Sequence, residues 1–95
     1  ERLVPSQVSN IRGHKTIIEL PITAESSLDD TMVRDFVWPK QMLLTSIRRG
    51  ESEILTHRDT VMHVGDVLII LTDEKLAYQV KKEIYQKTLP NDLVN

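Results

Sequence analysis

The run Val67-Leu68-Ile69-Ile70-Leu71 is the feature that most restricts how this chain can fold. These apolar residues, rich in β-branched side chains, are launched from a tight turn at Val64-Gly65-Asp66 and form the strongest strand signal in the sequence. The run is far too short to span a bilayer, so it has to find neighbouring strands within a small protein. Candidates lie on both sides. In Lys15-Thr16-Ile17-Ile18-Glu19-Leu20-Pro21-Ile22, residues Ile18, Leu20 and Ile22 share one face of an extended segment, and Pro21, which has no N–H to donate, places that strand at an edge or near its end. Met42 to Ile47 is apolar on both faces at its start, as suits a central strand. Arg48-Arg49-Gly50-Glu51 then supplies a turn, Ser52 to Thr56 returns as a hairpin partner, and Thr60-Val61-Met62 is a strand stub after a turn at His57-Arg58-Asp59.

Two helices are predicted. Ser27 and Asp30 have the spacing of an N-cap and its third-position acid, and Leu28, Met32 and Phe36 recur every four residues, so a short helix is expected there. Pro39 disfavours helical geometry at Trp38 and ends it by about Val37. The second helix is capped by Thr72 or Asp73 and carries the apolar stripe Leu76, Ala77, Val80 and Ile84. Asp73 and Glu74 sit at the positive end of its dipole, Lys81, Lys82 and Lys87 lie toward the negative end, and it stops before Pro90. The predicted fold class is α/β (α+β): a small mixed or antiparallel sheet, order β-α-β-β-β-α with the stub added, and helices packed on the sheet. Residues 1–14 read as a linker or N-terminal arm, 15–89 as the domain and 90–95 as a tail, and the start at Glu1 without a methionine is expected of a piece of a longer protein, with processing or tag removal as the alternative.

Composition narrows the function. Ninety-five residues support one core, and so small a core gains from a second chain that covers more surface. A net charge of −2 and only Phe36, Trp38, Tyr78 and Tyr85 as aromatics argue against nucleic-acid binding. No cysteine is present, which removes disulfides, thiolate nucleophiles and Cys-based zinc sites. His57 and His63 near Asp59 and Asp66 are metal-ligand types without metal-ligand spacing. No nucleophile turn, phosphate-binding glycine loop or interpretable carboxylate pair is visible, so the chain is expected not to be an enzyme.

Four residues are candidates for a ligand site. Arg48 and Arg49 could clamp a phosphate through their guanidinium forks, although neighbours in a strand point to opposite faces and only one can serve a given site; solvated or ion-paired arginine is the alternative. Trp38 either stacks on a base or caps the core, and His57 follows the hairpin. Asp66 after Gly65 is read as an acceptor for backbone N–H groups in its own turn.

Trp38-Pro39-Lys40-Gln41-Met42-Leu43-Leu44-Thr45-Ser46-Ile47-Arg48-Arg49-Gly50-Glu51, followed by Glu53-Ile54, Asp59-Thr60 and Gly65-Asp66-Val67-Leu68-Ile69-Ile70-Leu71, resembles the TrkA-C domain, the C-terminal lobe of the regulators of potassium conductance. The resemblance covers roughly residues 15 to 87. It implies a homodimeric regulatory domain on the cytoplasmic side of the cell membrane, joined to the transmembrane part of a potassium or chloride transport protein. The Trp-Pro-Lys turn, the Arg-Arg-Gly-Glu-Ser-Glu-Ile run and the Leu-Thr-Asp-Glu ending look most like the version appended to bacterial CLC-type chloride channels. It further implies a small anionic ligand or nucleotide, cyclic di-AMP in several relatives, held by positions that match Asp35 to Leu44 and Thr56-His57. Of that set this chain keeps His57 and the apolar walls. It has Leu43 where such members carry asparagine, Val37 near a basic position, and Thr56 in place of proline.

Overall fold

The computed structural model describes residues 14–89. The expected tail at 90–95, and the expected arm apart from His14, lie outside the described residues. The strands are β1 (Lys15–Pro21), β2 (Thr31–Met32), β3 (Met42–Arg49), β4 (Ser52–Leu55), β5 (Val61–Met62) and β6 (Val67–Asp73), and one α-helix, α1 (Ala77–Lys87), closes the series. Short 3₁₀ turns cover Val33–Asp35 and Glu74–Leu76. Strands β1, β6, β3 and β4 form, in that order, one antiparallel sheet, and β2 pairs with β5 in a small antiparallel ribbon.

The apolar run of β6 is central, as its composition requires. Leu68 and Ile70 point into the core, with Thr72 continuing the same buried face, and α1 lies over β1 and β6. Val80 and Ile84 of α1 meet Leu68, Ile70, Ile47, Ile22, Leu28 and Met62 in a single cluster. The Asp73 carboxylate accepts from the Lys75 N–H at 2.8 Å and caps the 3₁₀ turn that starts the helix. In β3, a bulge between Leu44 and Ser46 shifts the register, so Ile47 enters the core while Ser46 pairs with Ile69. Thr45 fills the irregularity by donating its hydroxyl to the Ile69 carbonyl at 3.0 Å.

The structure corrects one predicted element. The helix expected over Ser27 to Val37 is replaced by turns, β2 and a 3₁₀ turn. Its backbone donors go to a neighbouring segment instead of to a carbonyl four residues back: the Asp30 N–H bonds Met62 O at 2.6 Å, Val33 N–H bonds Thr60 O at 2.8 Å and Arg34 N–H bonds Arg58 O at 3.0 Å. Asp30 lies at φ 65°, which interrupts any right-handed helix. Ser26, not Ser27, caps the turn by accepting from Leu28 N–H at 3.1 Å. The four-residue apolar spacing still delivers Leu28 to the core and Phe36 to its margin. The other helix and the α+β class, with the helix packed on an antiparallel sheet, stand as expected.

Among the described residues, the sheet is covered on one face only. Its second face carries Ile17, Glu19, Leu43, Arg48, Leu55, Val67, Ile69 and Leu71, with Ile17 51% and Leu55 79% exposed. No helix among the described residues lies across it.

Candidate functional site

Strand alternation sends the two arginines at the end of β3 to opposite faces. Arg49 turns toward the β5–β6 connection, where its Nε and Nη2 donate to the two carboxylate oxygens of Asp66 at 2.8 and 2.7 Å, and Nη2 also donates to the Val61 carbonyl at 2.8 Å. Asp66 is only 2% exposed, and its carboxylate accepts a third bond from the His63 N–H at 2.9 Å. The Arg49 donors, aided by the His63 N–H, hold the Asp66 carboxyl below the usual range and keep it ionised. Asp66 in turn raises the pKa of Arg49. The backbone completes the knot: Asp66 O accepts from Ile22 N–H at 2.8 Å, and Gly65, at φ 94°, donates to Ile22 O at 2.9 Å. Three of the five guanidinium donors of Arg49 thus tie β3 to β5 and to the turn before β6, and the backbone bonds of Ile22 add the end of β1.

Arg48 lies on the uncovered face, where Nη2 donates to Glu19 Oε1 at 2.8 Å across β6. This bond lowers the Glu19 pKa and raises that of Arg48. Trp38 sits on the core side. Its Nε1–H donates to Val33 O at 2.9 Å, and its ring meets Phe36 edge-on with centroids 4.7 Å apart. His57 is exposed beyond β4; its Nδ1 accepts from Asp59 N–H at 3.3 Å, and its own N–H donates to Thr60 Oγ1 at 3.1 Å.

The four sequence candidates therefore do not form one cluster. The segments Asp35–Leu44 and Thr56–His57 do meet, because the Thr56 hydroxyl donates to Leu44 O at 3.1 Å beside the start of β3, while Arg48 and Arg49 belong to the hairpin end of the same strand. Two concavities flank α1. One, of about 430 Å³, is lined by Val37, Trp38, Lys40, Gln79, Glu83 and Lys87; the other, of about 270 Å³, is largely apolar and lies among Leu20, Ile22, Leu28, Ile84, Tyr85 and Leu89. Among the described residues, no group of three or more His, Asp or Glu side chains could hold a metal ion, and no helix is long and apolar enough to cross a membrane. Sequence reasoning missed Glu19 as the partner of Arg48 and Ile17 as an exposed apolar residue. Their signal was present in the strict alternation of β1, where Ile17 and Glu19 share the face opposite Ile18 and Leu20.

A one-helix, four-stranded antiparallel α+β domain with a two-stranded ribbon defines a class that solved structures also contain. A structure of an RCK domain with cda superposes with a TM-score of 0.59 at 21% identity, covering 73% of this chain and 97% of that one, a likeness of fold. No curated protein matches the sequence significantly. The model of the TrkA-C domain matches residues 17–85, and the chain belongs to that family, whose members are in general regulatory domains of ion-transport proteins.

Proposed function

We propose that this chain is a cytoplasmic regulatory and dimerisation module of a membrane ion channel or transporter, for chloride or potassium, and that it works as a homodimer without catalysing a reaction. The observation that carries the reading is the incomplete cover of the sheet in a domain matching the TrkA-C family: one face is packed under α1, and the other presents Ile17, Leu43, Leu55, Val67, Ile69 and Leu71. A domain of 95 residues gains much from burying such a surface. The parent favoured by the Trp-Pro-Lys turn and the Arg-Arg-Gly run is a CLC-type chloride channel.

A small anionic ligand or nucleotide held between the two copies would bias their relative geometry and so the transport step. Cyclic di-AMP is the first to test, supported by the family resemblance and by the RCK domain solved with cda. A second reading, a purely structural assembly domain that binds nothing small, is favoured by a specific observation. Arg49 is committed to Asp66, Trp38 to the Val33 carbonyl and Arg48 to Glu19, and the binding positions of relatives are here Val37, Leu43 and Thr56. Thermal unfolding against a panel of cyclic dinucleotides, mononucleotides and inorganic ions separates the two. A regulatory ligand at a hundredfold over its Kd stabilises by about 2.7 kcal/mol, which raises Tm by roughly 10 °C or more. A flat panel with an intact dimer establishes the assembly reading instead.

A further inference from the structure

We infer that residues 90–95 of this chain fold back and seat Leu93 and Val94 in the apolar groove between α1 and the end of β1. The inference goes beyond the proposed regulatory role and does not depend on the state of association. The groove, of about 270 Å³, has a floor of Ile22, Leu28 and Ile84, each at most 3% exposed, and walls of Leu20, Tyr85 and Leu89. The end of α1 is stopped and aimed at it. Thr88 closes the helix by donating both its N–H and its hydroxyl to the Tyr85 carbonyl, at 3.2 and 3.1 Å, and its own carbonyl accepts from the Ser27 N–H at 2.9 Å. This last bond ties the helix end to the turns that follow β1, and the next residue, Leu89, already lies on the groove wall.

Beyond Leu89 the sequence continues Pro90-Asn91-Asp92-Leu93-Val94-Asn95. Pro90 stands two residues after the helix cap at Thr88, where it forbids another helical turn. Leu89-Pro90-Asn91-Asp92 has the chemistry of a β-turn, with proline at the second position and asparagine at the third. Such a turn brings its first and fourth Cα atoms within about 7 Å of each other, which returns Leu93 and Val94 to the groove that Leu89 lines. Within residues 91–95 these two are the only apolar side chains, set among two asparagines and an aspartate. In water they would be an exposed apolar pair beside an apolar groove; seated, they and the groove cover one another. The tether favours this occupant over any other. A short linker gives an attached segment an effective concentration on the order of millimolar, which a free peptide does not reach. The seated pair bridges the seam between α1 and β1 and holds the end of the helix to the sheet.

The chain contains no cysteine, so two introduced thiols report on the contact. In the full 95-residue chain, Thr23→Cys marks the exposed rim of the groove, and Asn95→Cys marks the residue next to the seated pair. A short bifunctional thiol reagent should join them within one chain at least about fivefold faster than in the same protein carrying Leu93→Ser and Val94→Ser. Neither serine replaces a residue of the core, so both proteins fold, which circular dichroism checks. Without the introduced thiols, Leu93→Ser with Val94→Ser should lower Tm by about 4 °C. Equal cross-linking rates with and without the serines, or an unchanged Tm, overturn the inference. A cross-linked product of doubled mass, in which the segment seats on a second chain, overturns it as well.

Discussion

Replacing Asp66 with alanine tests whether the Arg49–Asp66 pair is the structural knot described above. Asp66 is almost fully buried and accepts three hydrogen bonds, two from Arg49 and one from the His63 N–H. Removing one member of a buried ion pair typically costs about 3–5 kcal/mol, because the remaining charge loses its partner. The Arg49 side chain is 39% exposed and can reach water when released, so the lower end, about 3 kcal/mol, is expected. Against a total stability of roughly 5–10 kcal/mol for a domain of this length, that is a large fraction. Urea unfolding followed by circular dichroism reads it directly: with an m-value near 1 kcal/mol/M, the midpoint falls by about 3 M. A double-mutant cycle with Arg49→Met isolates the pair, with a coupling of about 2 kcal/mol expected. A loss below about 1 kcal/mol for Asp66→Ala, or additivity within about 0.5 kcal/mol, would refute the assignment.

Three further outcomes follow from the same geometry. Because Arg49 depresses the Asp66 pKa in the folded state, the stabilisation is fully present above the unfolded carboxyl value near 4 and is lost as pH falls through the lower folded value; the urea midpoint of Asp66→Asn should therefore depend less on pH between about 5 and 2 than that of the wild type. Gly65→Ala, at φ 94°, should cost about 1–2 kcal/mol, whereas Gly50→Asn, at φ 61° with open space around it, should cost only a few tenths; equal losses in thermal unfolding would contradict this. Trp38→Phe keeps an aromatic ring against Phe36 but leaves Val33 O without its indole donor, and a loss of about 1 kcal/mol in the same assay is expected.

The sheet was legible because its signals are local. The β6 run, the Gly65-Asp66 turn, the Arg49-Gly50 hairpin and Pro21 near the end of β1 each state their own geometry. The stretch from Ser27 to Val37 misled because Leu28, Met32 and Phe36 have helical spacing, yet its conformation is decided by β5 and the preceding turn, which capture the N–H groups of Asp30, Val33 and Arg34. That competition is between segments about 25 to 30 residues apart, and periodicity does not report it. For the candidate site, alternation predicted that Arg48 and Arg49 separate, and it could not say that Glu19 and Asp66 would be their partners. The bulge at Thr45 was invisible for the same reason: it depends on how Ile47 must meet Leu68 in the core.

The claim on which the account depends is that this domain functions as a pair. Sedimentation equilibrium of the 95-residue chain at tens of micromolar tests it most directly. The account predicts twice the monomer mass, with dissociation only on dilution. A single species of monomer mass across that range would contradict it.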